Sequence, residues 1–503
     1  MTVNDDANTF DYVIVGGGSA GAVLARRLSD DPETSVLLIE GGPAYEDDPK
    51  VVYLSESLAL TGDPKYDYDY PLVEQERGNS LLRISRAKML GGCSAHNDAW
   101  ALRAPDADMD RWAAKGAEGW DSAHTAPYFK RVFADMHVHP VPKNAELSNV
   151  VIEAAGEIGI PEIDNTAGEY GEGISWVSLN EYEGKRFSTA QAYLFPLTEL
   201  PANLHLQLET LATRVVFDGD RASGVETDHG MFYARREIVL SAGAIDTPKL
   251  LMLSGIGPAE HLSELGIDVK VDLAGVGSNL QDHIETPVTW EISKDPGESI
   301  NGLDLGIYAS LGSDEDFDTQ FTVGHVNYWL DAPPFTDLEH SELALTLAPN
   351  VARPESSGAI RLASADYRDK PLVDPRYFTD PGGADEAKLV AGIKVARKFA
   401  DTKALSGWIV REIVPGPNYQ TDEELGAHAR KYSNTVYHPM CTAKMGNPAD
   451  PEVVVDPRLR VKGVSGLRVV DGSVMPEIIR VNPNMTIIMI GMRAADLIKE
   501  DNA

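Results

Sequence analysis

The sequence predicts an α/β protein in two parts: a discontinuous, doubly wound sheet and, laid over it, an α+β domain built on an antiparallel sheet. Three observations predict it. An apolar strand near the N-terminus runs into GxGxxG spacing and then a helix. A second unit of strand, small-residue turn and helix recurs from residue 236. Between about 285 and 433 the chain changes to short alternating segments separated by turns. At 503 residues it is long enough for more than one core.

The first unit is DYVIVGGGSAGAVLARRLSDDPETSVLLIEGGP, residues 11 to 43. Tyr12 to Val15 form a short apolar run of the kind a buried parallel strand requires. Gly16 allows the turn, Gly18 lets backbone approach a pyrophosphate, and Gly21 lets helix and strand pack closely. Ser19 and Ala20 open the helix, whose free N–H groups face the phosphates. The second strand, SVLLIE, ends in Glu40, nineteen residues after Gly21, where a carboxylate accepts hydrogen bonds from a ribose diol and disfavours a 2′-phosphate. Strand, turn, helix and acid together make a Rossmann-like dinucleotide site. FAD and NAD fit this pattern equally.

In REIVLSAGAIDTPKLLMLSGIGP, 236 to 258, the spacing predicts a strand over Ile238 to Leu240, a turn at Ser241 to Gly243 and a helix over Thr247 to Leu253. Just before it, LHLQLETLATRVVFDGDRASGVETD reads as a hairpin or meander. WEIS, QFTVGHVNYWL, ELALTLAPNV and AIRLAS read as strands of the antiparallel sheet, and GADEAKLVAGIKVARKFADT and TDEELGAHARKY as amphipathic helices with acidic starts. GLRVVDGSVMP gives a strand followed by Asp471, and VNPNMTIIMIGMRAADLI sets Asn482 and Asn484 around a proline before an apolar helix. The expected division is 1–150, 195–284 and 434–503 for the nucleotide-binding domain, with 151–194 and 285–433 for a substrate-binding domain.

Composition narrows the function. Asp plus Glu number 78 against 44 Lys plus Arg, a net charge of −34 that repels phosphate backbones and anionic lipid, so neither nucleic acid nor a membrane surface is an expected partner. Only Cys93 and Cys441 are present, which excludes a disulfide framework and a cysteine metal site and suits a reducing compartment. HVHP, 137 to 140, pairs two histidines without further ligands, so no metal is expected. The acidic N-terminus carries no basic flank or cleavage-type segment, and no run of eighteen apolar residues occurs, which makes cytoplasmic residence the expectation.

KMLGGCSAHNDAW, 88 to 100, suits neither helix nor strand. Its two glycines, Gly91 and Gly92, remove side chains that would block approach to His96, whose imidazole is a competent nucleophile.

These stretches carry a resemblance. VIVGGGSAG, GGCSAHN, GAIDTPKLLMLSGIGP, GVGSNLQDH, NTVYHP and VNPNMT, spread over almost the whole chain, are similar to the glucose-methanol-choline oxidoreductases, FAD enzymes that oxidise alcohols. YDYDYP, KMLGGCSAHN, DKPLVDPRYFTDP and NTVYHP are shared with the choline-oxidase branch of that family. The resemblance implies FAD as the dinucleotide, with Gly91, Gly92, Cys93, Ser94, His96 and Asn97 near the flavin ring, and Asp471, Asn482, Asn484, Met485 and Thr486 elsewhere on the cofactor. It implies Val215 beside the adenine, and a covalent bond from His96 to the flavin.

Oxidising an alcohol by hydride transfer needs a group to take the hydroxyl proton. The resemblance assigns this to His438, with Asn482 as its partner. It places Glu285 where the branch holds a trimethylammonium group, and Val436, Tyr437, Tyr68 and Asp98 beside the substrate. Departures from the branch are Tyr68 for a tryptophan, Leu303 and Asp304 where an aromatic pair would sit, Asp98 for a serine, and Thr322 where a histidine is displaced to His325. The expected reaction turns a small polar primary alcohol, choline or an amino alcohol among them, into the aldehyde, with O2 reoxidising the flavin to give H2O2. A dehydrogenase using a quinone or other acceptor carries the same motifs, and a flavin-containing lyase is a further alternative. The sequence leaves a homodimer open.

Overall fold

The structure, a computed structural model, describes residues 6–165, 168, 170–312, 316–327 and 335–502. The last three residues of QFTVGHVNYWL lie outside this set.

The fold is the predicted α/β arrangement. Strand β1 (Thr9–Val15) leads into helix α1 (Ser19–Leu28) and strand β2 (Val36–Ile39). Their apolar runs are buried from both sides: Val13, Ile14, Val36 and Leu38 have no exposed surface. Strands β3 (Leu204–Gln207), β4 (Ala212–Asp218), β5 (Arg221–Thr227) and β6 (Gly230–Leu240) follow, then helix α2 (Gly243–Leu253), strand β7 (Leu467–Val469) and helix α3 (Asn484–Asp501). The sheet order is β4-β5-β6-β1-β2-β3, with β7 added on β6. The pairings of β1 with β2 and β6, β2 with β3, and β6 with β7 are parallel. Helix α3 closes on α1 so tightly that a Cβ on Gly491 would lie 2.7 Å from the Ala20 carbonyl oxygen. The C-terminal helix is thereby set against the helix that follows the first glycine turn.

The second sheet runs 409–414, 288–292, 344–351, 319–324, 305–309, 173–176, every neighbour antiparallel. The short strand Ile284–Glu285 joins it through Asn350 and also pairs with Asn434–Thr435. The helix Ala384–Ala400 covers one face: Gly392 lies against Pro349, with the Phe321 ring within 3.6 Å of its Cβ position. Strand residues alternate faces, so Gln320 and Thr322 point the opposite way from Phe321.

Three expectations are corrected. The strand at 204–207 leaves the meander and pairs with β2 instead, because the Glu209 and Thr210 N–H groups bond back to the carbonyls of Gly42 and Glu40 and hold the chain there. AIRLAS falls outside the large antiparallel sheet. Gly358–Arg361 pairs with 278–280 and 372–374, where a Cβ on Gly358 would sit 1.8 Å from the Asp374 carbonyl oxygen. Helix α2 begins at Gly243 rather than Thr247, because the Asp471 carboxylate accepts from the Gly243 N–H at 2.9 Å and the Thr247 hydroxyl at 2.6 Å. Among the described residues, no helix is long and apolar enough to cross a membrane. In HVHP, His139 Nε2 lies 2.8 Å from Glu181 Oε1 and His137 packs on Phe187.

Candidate active site

A cavity of about 550 Å³ opens between the two sheets, with walls from both. At one end it meets the first glycine turn. Gly16 has φ +102°, and a Cβ there would collide with the Ser241 carbonyl at 2.4 Å. Gly16, Gly18, Ser19 and Ala20 line this end. Glu40 does too. Its Oε2 accepts from the Gly17 N–H and its Oε1 from the Gly42 N–H, each at 2.8 Å, and burial pushes its pKa up to about 7 against these bonds.

The loop of residues 91 to 98 folds directly over this turn. Gly92 has φ +51°, and its Cβ position is 2.6 Å from the Gly18 Cα, so no other residue fits. Gly92, Cys93, His96, Asn97 and Asp98 face the cavity. Beneath them the buried guanidinium of Arg186 donates to the carbonyls of Asn97 (2.7 Å), Ala95 (3.2 Å) and Val51, gripping the loop from below. The orientation of His96 follows from its neighbours. Ser85 donates its hydroxyl proton to Asp67 Oδ2 at 2.7 Å, so its oxygen is left to accept from His96 Nδ1 at 3.3 Å. That leaves Nε2 bare, and it is buried without a hydrogen-bond partner. Burial pushes the imidazole pKa down to about 4, so the ring is neutral and nucleophilic near pH 7.

The far end carries the proposed chemistry. Residues 434–435, paired with Ile284–Glu285, turn into Val436, Tyr437 and His438, all on the cavity wall. Asp282 fixes that turn: Oδ1 accepts the His438 N–H at 2.8 Å, and Oδ2 accepts the Thr435 hydroxyl at 2.6 Å and the Tyr377 hydroxyl at 2.5 Å. Asn482 Nδ2 lies 3.5 Å from His438 Nε2, and burial, then His283 and Arg86, push the His438 pKa well below its ordinary value. Glu285 is buried, lines the same space, and its Oε2 has no hydrogen-bond partner. Burial, then Asp98 and Asp282, raise its pKa well above the carboxylate range.

Other expected residues are placed as follows. Asp471 and Asn484 line the cavity, and Asn484 Nδ2 donates to Ser19 Oγ at 2.9 Å while its Oδ1 has no partner. Tyr68 lines the cavity as well; its ring stacks on Tyr70 and its hydroxyl lies over Gly41, beside Glu40. Gly21, Gly91, Ser94, Val215, Met485 and Thr486 are set back from the wall. Gly21 closes on the Gly16 carbonyl. Gly91 donates to Gly17 O and accepts from Ser94 Oγ, and the Val215 N–H donates to Ser254 Oγ. Met485 and Thr486 are fully buried in α3. These residues shape the cavity from behind. Thr322 faces it, whereas His325 is bonded to Ser148 at 2.9 Å and does not. Sequence reasoning missed Arg86, Arg186, His283 and Gln320. Of these, His283 stood inside GVGSNLQDH and Gln320 opened QFTVGHVNYWL, but neither was assigned a role.

The residues present fit a flavin dinucleotide. The N-terminus of α1 has no side-chain cap, open space stands before Gly243, and His96 Nε2 and Asn484 Oδ1 are buried without a hydrogen-bond partner. A dinucleotide site joined to a histidine and asparagine pair is the arrangement of a dinucleotide-dependent oxidoreductase. Family models described as GMC oxidoreductase match residues 10–285 and 354–491, and the chain belongs to that family. It is 44% identical to choline oxidase of Arthrobacter globiformis, over 98% of this chain and 95% of that protein. It is 36% identical to the mitochondrial choline dehydrogenase of Homo sapiens, over 99% and 91%. The crystal structure of pyridoxine 4-oxidase from Mesorbium loti matches with a TM-score of 0.87 at 28% identity, covering 97% of this chain and 98% of that one. The protein is an FAD flavoprotein that oxidises alcohols at CH–OH.

Proposed function

We propose that this enzyme oxidises a small primary alcohol carrying a positive charge, choline or an amino alcohol, to the aldehyde, with O2 as acceptor and H2O2 as coproduct. The observation that carries it is the buried Glu285 carboxyl, its Oε2 without a hydrogen-bond partner, on the same cavity as His438 and Asn482. A lone buried carboxyl is costly unless a cation meets it. The relatives named for choline support the substrate class.

His438 takes the hydroxyl proton at Nε2, Asn482 Nδ2 orients the alcohol oxygen, and Glu285 and Asp98 set the cationic end. FAD, when bound, supplies the two-electron acceptor for the hydride. The flavin would be held by Gly16, Gly18, Ser19, Glu40 and the 91–97 loop, and His96 Nε2 is the nitrogen that would form the covalent link to it. Supporting that bond are the bare, neutral nitrogen and the rigid loop under it. The aromatic lining near Glu285 is thin, with Trp100 and Tyr437 on the cavity wall together with Leu303, which suits a compact ammonium as well as a trimethylated one. We further propose that 1–150, 195–284 and 434–503 hold the cofactor and that 151–194 and 285–433 hold the substrate, and that the enzyme is cytoplasmic.

Under air, one H2O2 should appear per aldehyde formed. Turnover that needs an artificial acceptor and yields no peroxide would favour the dehydrogenase. Acid-precipitated protein should remain yellow; a colourless pellet would remove the covalent bond.

A further inference from the structure

We propose that His283 and Gln320 are positioning residues that fix the tautomer of His438 from two sides, holding its proton on Nδ1 and presenting a bare Nε2 to the substrate hydroxyl. This rests on His438 being the base of alcohol oxidation.

From one side the geometry sets the order of donors. The backbone carbonyls of Ala352 and Ile479 face the His283 ring and only accept; Ala352 O lies 3.1 Å from Nε2, so that nitrogen carries the proton and His283 Nδ1 is left to accept. His283 Nδ1 is 2.9 Å from His438 Nδ1, with the ring planes 84° apart. A bare nitrogen accepts, so His438 donates from Nδ1 and its Nε2 has no proton. His283 is 1% exposed, and burial pushes its pKa down to about 4, so the ring stays neutral and the order holds.

From the other side the polarity agrees. Gln320 Nε2 donates to Asn482 Oδ1 at 3.2 Å, which turns the Asn482 amide so that Nδ2 faces His438 Nε2 at 3.5 Å. An N–H aimed at a nitrogen favours the bare form of that nitrogen. Gln320, 2% exposed, reaches Asn482 because strand alternation puts it on the face opposite Phe321. The other charged groups around His438 are Asp282, which takes its backbone N–H, and Arg86, whose guanidinium donates to the Tyr437 carbonyl at 2.5 Å and disfavours a second positive charge on the ring.

The two positioning residues belong to different domains of the proposed division, one before Glu285 and one on the antiparallel sheet.

The test is ¹⁵N NMR of the imidazole nitrogens in holoenzyme labelled at histidine, with His438 assigned through H438Q. The expected spectrum has His438 protonated at Nδ1 and bare at Nε2; a proton on Nε2 in the wild type overturns the proposal. H283L removes the acceptor. It should shift the tautomer and lower the anaerobic flavin-reduction rate about 10²-fold with little change in KM, while H283N, whose Oδ1 still accepts, should recover most of that rate. Q320E can only accept, so it should invert the Asn482 amide and slow reduction more than Q320L. Unchanged tautomer and rate in both H283L and Q320E would overturn the proposal even if one variant folded poorly. If no alcohol reduces the flavin, the functional reading fails, and the NMR tautomer still decides this one.

Discussion

Glu285 shows how a single residue's environment sets its role. At 2% exposure its carboxylate is stable only beside a cation, so replacing it with Gln should raise the KM for choline about 100-fold, in line with ~3 kcal/mol for losing one partner of a buried ion pair. An uncharged alcohol should be little affected. The sign of the pH effect follows from the raised pKa: below it the carboxyl is neutral and the cation finds no charge. Thus kcat/KM for choline should rise with pH until Glu285 ionises, and this limb should vanish in E285Q. A pH profile unchanged by E285Q would assign the limb to another group. His438, Asn482 and Glu285 were legible because short motifs carried them. His283 and Gln320 were not, since an imidazole's or amide's role is set by the atom opposite, which no spacing reveals.

At the scale of elements, Asp471 ties the two ends of the nucleotide fold together. Its carboxylate receives Gly243 N–H, Thr247 Oγ1, Ser473 N–H and Ser473 Oγ, so β7 caps α2 from more than 200 residues away in sequence. D471A strands these donors, at about 1–3 kcal/mol for each one left unmet. It should lower the melting temperature and the FAD absorbance per protein together; full flavin content with unchanged melting would show the cap to be dispensable. The first glycine turn, β1 and α1 were legible because turn chemistry and two periodicities coincide there. The strand at 204–207 and the one at 358–361 were recognisable as strands but not in their partners. Alternation tells which face is buried, not which edge is paired.

Across the whole molecule two electrostatic features oppose each other. The net charge of −34 makes the compact state repel itself, so raising ionic strength, which shortens the screening length from ~30 Å at 0.01 M to ~3 Å at 1 M, should raise the melting temperature. Buried neutral histidines act in acid. Burial, then Arg397 and Lys431, push His428 down to about 3, and neither ring nitrogen has a hydrogen-bond partner. Because the folded pKa lies below the unfolded value of about 6.5, the unfolded chain binds more protons between these limits. Stability is full above about 6.5 and is lost as pH falls through that window. Melting curves should drop across it, less steeply in H428L; identical slopes would remove His428 from the account. The division into two sheets was legible from composition and pattern. The cavity between them was not, because it is made by packing rather than by any local stretch.

The central claim, a cationic alcohol held at Glu285 while His438 takes its proton, is tested most directly by anaerobic stopped-flow reduction of the flavin. Choline would be compared with its uncharged isostere, 3,3-dimethylbutan-1-ol. The account predicts rapid bleaching by choline, with a second-order efficiency about 100-fold above the isostere, a gap that closes in E285Q. Equal efficiency for both alcohols in the native enzyme, or bleaching by the isostere alone, would contradict it.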